Sequence, residues 1–398
     1  MMDLNGVAAG ARMKGLHVLG TGDFTHPRWL DELKRMLKPS PGEDGLYAYG
    51  GVRWVLQAEI SLIYTQDGRQ RRVHHVILAP NFEVADQINE WLDTKGRRDY
   101  DGRPTFGFSS IELVESMMGI SRDIAIIPAH AWTPWYAIFG SKSGFDSIEE
   151  CFGDQAKHIF AVETGMSSTP AMNWRLSKLD RISLVSNSDS HSPVSWRLGR
   201  EANAFDLKKS SYRAIIDAIR TRKGFAFTIE TPAEYGKYHW DGHRFCSFSC
   251  SPAETRRLGG RCPRCGRELT IGVEYRVEQL ADRPEGFVPE GAVPFKPLIP
   301  LAELVALAKN SGIATQRVRE TYDALIARFG SELAVLLDAP QSELLSIVNE
   351  KIADLILRNR AGRIKIQPGY DGVYGKPVLG GGSSSSLEDF VKSQTVRA

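Results

Sequence analysis

Residues 52–79 read VRWVLQAEISLIYTQDGRQRRVHHVILA. Two apolar-rich runs, 52–64 and 73–79, flank TQDGRQRR, and its Asp67-Gly68 pair suits a tight two-residue turn. The spacing predicts a β-hairpin with Glu59 and His74 on neighbouring strands. Adjacent strand residues point to opposite faces, so one of His74 and His75 faces a shared site and the other faces away.

On either side of the hairpin, short apolar runs alternate with amphipathic stretches: LHVLGTGD (16–23), IAIIPAH (124–130), IFAVETG (159–165), ISLVSNSDSH (182–191) and FAFTIE (225–230). Strands alternating with helices imply an α/β sheet or barrel over residues 1–230. Most runs end in a polar residue: Asp23, His130, Glu163, Asp189 and His191. In α/β barrels the active site lies at that end of the strands.

The motifs at these ends are GDFTHP (Asp23, His26), VHH (His74, His75), PAHAW (His130) and SDSH (Asp189, His191). Imidazole and carboxylate together suit Zn²⁺, Mn²⁺ or Fe²⁺, and a carboxylate such as Glu59 bridges two ions with its two oxygens. A multinuclear site is therefore expected. For a phosphate ester, such ions activate a water and neutralise charge on the phosphoryl oxygens, so no protein nucleophile is needed. Glu163 equally suits a ligand's hydrogen-bond partner or a substrate contact.

Residues 231–297 change character. Cys246-x3-Cys250 and Cys262-x2-Cys265, eleven residues apart, have the two-knuckle spacing of a structural Zn²⁺ site of four thiolates, and Cys151 stands alone. Arg244, Arg256, Arg257, Arg261, Arg264 and Arg267 surround them. Over the whole chain Lys+Arg number 50 against 48 Asp+Glu, so any affinity for nucleic acid must come from such local patches.

Residues 298–378 show apolar positions three and four apart and predict a helical domain, with Gly330 and Gly362 as C-caps. GGGSSSS (380–386) opens a flexible tail, 379–398, in which SLEDFV has the look of a sliding-clamp peptide. No apolar run of about 18 residues and no signal segment occur, so a cytoplasmic location without membrane association is expected.

The barrel motifs resemble the PHP superfamily, which implies a distorted (β/α)7 barrel around up to three metal ions. GTGDFTHPRWL, VHHVILAP, PAHAWTPWYAIFGSKSGFDSIEECFGD, AVETGMSS and SNSDSHSP, then GKYHWDGHR, the cysteine quartet and PGYDGVYGK, resemble the endonuclease Q family. The resemblance implies nicking of DNA on the 5′ side of hypoxanthine, uracil, xanthine or an abasic site. It assigns two or three divalent ions (Zn²⁺, Mn²⁺ or Mg²⁺) to Asp23, His26, Glu59, His74, His130, Asp189 and His191, with Glu59, His130 and Asp189 at the catalytic core.

A base read in this way must leave the duplex stack and enter a pocket. Trp132, Trp135 and Lys142 in the loop after His130, and Tyr238, His239 and His243 before the cysteines, are the expected DNA contacts. One departure stands out. The His-x-His strand that opens PHP proteins is absent, and the chain reads as truncated before MMDLNGVAAGARMKGL, which lacks two ligands and one barrel strand. Two other functions fit parts of the pattern: a phosphoesterase on a small phosphorylated metabolite, and a DNA-binding protein without catalysis.

Overall fold

A computed structural model describes residues 3–100 and 102–378; the linker and SLEDFV, on which the clamp expectation rests, lie outside them. Asp3 accepts a hydrogen bond from Gly6 N at 2.7 Å and starts α1 (Leu4–Lys14). Next come β1 (Val18–Gly20), then β2 (Val52–Gln66) and β3 (Arg69–Ala79). Asp67 and Gly68 join the last two strands with φ of 53° and 72°, the two positive values that a type I′ turn requires. The strands run past the expected limits at 64 and 73. Arg69 to Arg72 keep pairing with Gln66 to Ile63, polar side chains notwithstanding.

Further strands are β4 (Thr105–Phe106), β5 (Ala125–Pro128), β6 (Ala161–Glu163), β7 (Ser183–Val185), β8 (Ala202–Phe205) and β9 (Phe225–Glu230). β1 and β4 lie parallel to β2, whereas β3 pairs antiparallel with β5. β6 and β7 form a parallel pair, and β8 and β9 an antiparallel one. The architecture of this region is mixed α/β, with the strands just named hydrogen-bonded into one larger sheet and two smaller ones. Val76, Ile127, Ala161, Val185 and Phe225, from β3, β5, β6, β7 and β9, share one apolar cluster, so the three sheets close on a common interior.

The opposite face of the hairpin supports the site from behind. Trp54, Leu56, Ala58, Ile60 and Leu62 alternate along β2 and are at most 1% exposed. Each large side chain buried there contributes about 1.5–3 kcal/mol relative to exposure. The residues between them, including Glu59, face the other way.

The chain then forms β10 (Asp241–His243), β11 (Phe248–Cys250), α2 (Val273–Leu280) and β12 (Phe295–Pro297). α2 sinks Val273 and Val277 into the main core, and β12 pairs with β9, so this segment is fastened to the α/β body at both ends. The helical region contains α3 (Leu301–Lys309), α4 (Gln316–Phe329), α5 (Glu332–Leu337) and α6 (Glu350–Arg360) around Leu304, Val305, Leu325, Val335 and Ile356. Among the described residues no helix is long and apolar enough to cross a membrane.

α1 reaches this helical region through a buried ion pair. Lys14 Nζ lies 2.7 Å from Glu332 Oε1, with the side chains 1% and 0% exposed. Glu332 also accepts from Leu301 N at 3.0 Å and from the Tyr322 hydroxyl at 2.8 Å. Removing one partner of such a pair strands the other charge, at a cost of about 3–5 kcal/mol. In urea unfolding, Lys14→Met should lose stability of that size, and adding Glu332→Gln should restore part of it. An unchanged midpoint for Lys14→Met would show that the pair contributes nothing.

Candidate metal centre

The ladder between β2 and β3 sets Glu59 opposite Val76 and Ser61 opposite His74, so Glu59 and His74 are diagonal neighbours on one face. His75, opposite Ile60, turns away, is wholly buried and meets Ser110 Oγ at 2.8 Å. His130 follows the end of β5. Glu59 Oε1 lies 3.1 Å from His74 Nδ1 and 3.4 Å from His130 Nε2, and the two nitrogens are 3.1 Å apart.

These contacts do not satisfy one another as hydrogen bonds. Thr133 Oγ1 gives its proton to Trp135 O at 2.9 Å, so at 3.2 Å it accepts from His130 Nδ1, and the lone pair of His130 Nε2 faces the cluster. Arg103 Nη1 stands 3.0 Å from His74 Nδ1, and a guanidinium only donates, so that nitrogen also presents a lone pair. Glu59 Oε1 is buried without a well-aligned donor. Three lone-pair atoms thus converge. A tetrahedral ion with bonds of about 2.0–2.1 Å holds its ligands about 3.3 Å apart, so the residues fit a divalent cation.

Without an ion, the electrostatics favour ligation at Glu59 and His74, whereas at His130 they favour the protonated ring, whose proton an arriving cation must displace. Burial alone would raise the Glu59 carboxyl, but His130 and His74, with the Arg103 charge, hold it below the usual carboxylate range. Burial lowers His74 to about 4, which keeps it neutral and able to ligate. Burial also opposes a charge on His130, yet the Glu59 contact outweighs it and raises that group.

Asp23, His130 and Asp189 all adopt positive φ, at 40°, 31° and 41°. For side chains of this kind that backbone costs of order 1–3 kcal/mol per residue and persists only where surroundings enforce it. At His130 the enforcement is visible. Its amide donates to Glu163 Oε2 at 2.8 Å, and Gly165 packs so closely that a Cβ there would lie 2.8 Å from His130 Cα.

The lesion-specific endonuclease PfuEndoQ from Pyrococcus furiosus superposes with a TM-score of 0.85 at 30% identity, covering 98% of this chain and 94% of that one. The chain belongs to the endonuclease Q family. An endonuclease Q bound to a 27-mer duplex with an abasic lesion at its active site also superposes at 0.85, with 31% identity, 95% of this chain and 92% of that one covered. The family described as the MJ0043 C-terminal domain matches residues 300–363. Uncharacterised protein MJ0043 of Methanocaldococcus jannaschii is 33% identical over 289 residues, 71% of this chain and 34% of that protein, so the chain spans about a third of that relative. Uncharacterised protein YqxK of Bacillus subtilis is 27% identical over 377 residues, 91% of this chain and 89% of its own.

Of the seven ligands that the endonuclease Q resemblance implies, Glu59, His74 and His130 form one tight set among the described residues. Asp189 reaches it through Arg103, whose Nη2 is 3.6 Å from the carboxylate. Asp23 is raised by burial and by the Glu59 charge, while His191 is exposed at 3.8 Å from Asp189. His26 precedes the helix Pro27–Met36 as its N-cap residue.

The expected DNA contacts divide. Trp132 is a correction: 1% exposed, it bonds Asn173 Oδ1 at 2.7 Å and packs on Phe139 in the core. His239 is likewise turned inward, 7% exposed and 3.5 Å from Glu274. Glu163 is buried and spends its oxygens on the His130 amide and on Asn187 Nδ2 at 2.7 Å, an internal support. Trp135 packs edge-on against Tyr238 at 5.7 Å, and Lys142 is exposed. Arg103 was missed, since one arginine in a Gly-Arg-Pro turn carries no sequence signal.

In the cysteine module, His243, Cys246, Cys262 and Cys265 bring their ligand atoms within 4.8 Å of one another. This set differs from the expected four thiolates and takes in His243, which the sequence suggested for DNA. Cys250 pairs with Asp241 across the β10–β11 ladder and is 1% exposed, with its sulfur 3.2 Å from Thr255 Oγ1. Three sulfurs and an imidazole suit Zn²⁺ as well as four sulfurs do. Cys262→Ser should therefore abolish stoichiometric zinc in elemental analysis, whereas Cys250→Ser should retain it; equal loss in both would favour the four-thiolate set.

Behind Glu163 lie two more buried acids. Burial, with the nearby charge of Glu163, pushes Glu230 up to about 7 even though Thr228 and Thr164 donate to it. Burial and Glu230 raise Glu201 as well. A carboxyl with a raised folded pKa binds more protons folded than unfolded, so its contribution is complete below about 4.5 and is lost as pH rises through about 7. Unfolding free energy should thus fall across that window, and Glu230→Gln should flatten the fall. A parallel curve for the variant would remove Glu230 as its source.

Proposed function

We propose that this protein is a metal-dependent DNA-repair endonuclease that hydrolyses the phosphodiester 5′ to a deaminated base or an abasic site. The convergence of Glu59, His74 and His130 on one point carries the reading, within a fold shared with endonucleases over nearly the whole chain. Asp189 and Asp23, with His26 and His191, are the other residues that the family resemblance assigns to the ions. Zn²⁺, Mn²⁺ or Mg²⁺ held there supplies an activated water and charge neutralisation at phosphorus.

The chain's own residues do the rest. Glu163 holds the His130 backbone through its amide and Thr133 holds the ring through Nδ1, so Nε2 stays aimed at the cluster. His74 is kept neutral by burial, and its ring packs at a tilt against Tyr136, with centroids 4.7 Å apart. Trp135 and Tyr238 form an aromatic ledge nearby, suited to a displaced base, with Lys142 and His243's neighbour Arg244 available for phosphates. Duplex DNA as partner accords with the lesion-bearing duplex that the related endonuclease holds. Work on DNA also accords with a cytoplasmic protein.

The test is nicking of a labelled duplex containing a single hypoxanthine, uracil or abasic site, with Mn²⁺ or Mg²⁺, against the undamaged duplex. Cleavage should occur only on the damaged strand, on the 5′ side. Glu59→Gln and His130→Ala should each lose about a thousandfold in rate, the scale of several kcal/mol of charge stabilisation. Equal cutting of undamaged DNA, or full activity in both variants, would refute the assignment.

A further inference from the structure

Arg103 sits where its charge needs explaining. Its Nε is 3.2 Å from Glu59 Oε1, its Nη1 is 3.0 Å from His74 Nδ1, and its Nη2 is 3.6 Å from Asp189. Its side chain is 25% exposed, so one edge of the guanidinium reaches the mouth of the site. The two atoms it contacts most closely belong to the converging trio.

Lone-pair chemistry makes this more than a neighbourly contact. A neutral imidazole has one ring lone pair, and it serves either an N–H donor or a metal ion. Arg103 uses that of His74 Nδ1 and also faces the Glu59 oxygen aimed into the cluster. A divalent ion on the trio and the guanidinium therefore claim the same lone pair of His74. Asp189 lies on its outer side, toward solvent, and the planar fork of an arginine matches two phosphate oxygens as well as a carboxylate.

We infer that Arg103 is an exchanging cation of this site: it competes with the divalent ion for His74 and Glu59, and once displaced it swings outward to hold the phosphate of the DNA strand. Its first half concerns ion binding alone. Its second half rests on the endonuclease reading.

The test separates the two. In the absence of DNA, Mn²⁺ affinity is measured for the wild type, Arg103→Gln and Arg103→Lys. Arg103→Gln should bind Mn²⁺ roughly tenfold or more tightly, because the cation competing for His74 and Glu59 is gone, and Arg103→Lys should stay near wild type. Affinity for a lesion duplex, measured with Ca²⁺ in place of the catalytic ion, should weaken severalfold in Arg103→Gln. The wild-type protein gives an independent readout: mass mapping of arginine modification by phenylglyoxal should show Arg103 reacting severalfold faster with Mn²⁺ bound.

Tighter Mn²⁺ binding, weaker DNA binding and faster labelling support the exchange. Unchanged or weaker Mn²⁺ affinity in Arg103→Gln, or a labelling rate indifferent to Mn²⁺, overturns it. Tighter ion binding with unchanged DNA affinity overturns the phosphate step. None of the ion measurements depends on cleavage, so an inactive protein that passes them would count against the endonuclease reading instead.

Discussion

The antiparallel register between β2 and β3 is the constraint from which the site follows. Eleven residue pairs, from Leu56 with Ala79 to Gln66 with Arg69, lock that register, and the two-residue turn at Asp67-Gly68 fixes its phase. Because side chains alternate with a period of two, a slip of one residue on β3 would turn His75 to the site and bury His74 against Ser110. Val73, Ile77 and Ala79 of β3, fully buried on the face of Ile60, would all leave the core, which makes such a slip costly for the whole strand at once. The metal-facing geometry thus inherits its precision from hydrophobic alternation a few ångströms away.

Around that ladder the protein keeps polar groups under strain and compensates them individually. His130 holds an unfavourable backbone while Glu163 takes its amide and Gly165 packs against its Cα where a Cβ would not fit. Glu163 in turn is fixed by Asn187, and Glu230 by two threonine hydroxyls. Glu163 and Glu230 are thus held by neutral donors, while the guanidinium of Arg103 faces the pocket and Glu59.

The cysteine module and the helical region are tied to this body by long-range contacts. α2 contributes two valines to the main core, β12 extends the sheet of β9, and Lys14 meets Glu332 across more than three hundred residues of chain. Surfaces that would touch a duplex are thereby held in a fixed relation to the metal centre. A loosely hung module would have to be ordered at each binding event, at an entropic cost.

The sequence by itself determined whatever depends on neighbours along the chain. The hairpin was legible from its alternation and turn, the helices of 301–360 from their three-and-four spacing, and the strand-end acids and imidazoles from their motifs, because periodicity and turn chemistry are local. The tertiary structure alone decided which groups meet. It chose His74 over His75 for the face of Glu59, gathered His243 with three cysteines while Cys250 turned inward, buried Trp132 and His239, and carried Arg103 from an unremarkable turn to the centre of the site. Those outcomes depend on register, burial and charge balance between segments scores of residues apart, and no local pattern encodes them.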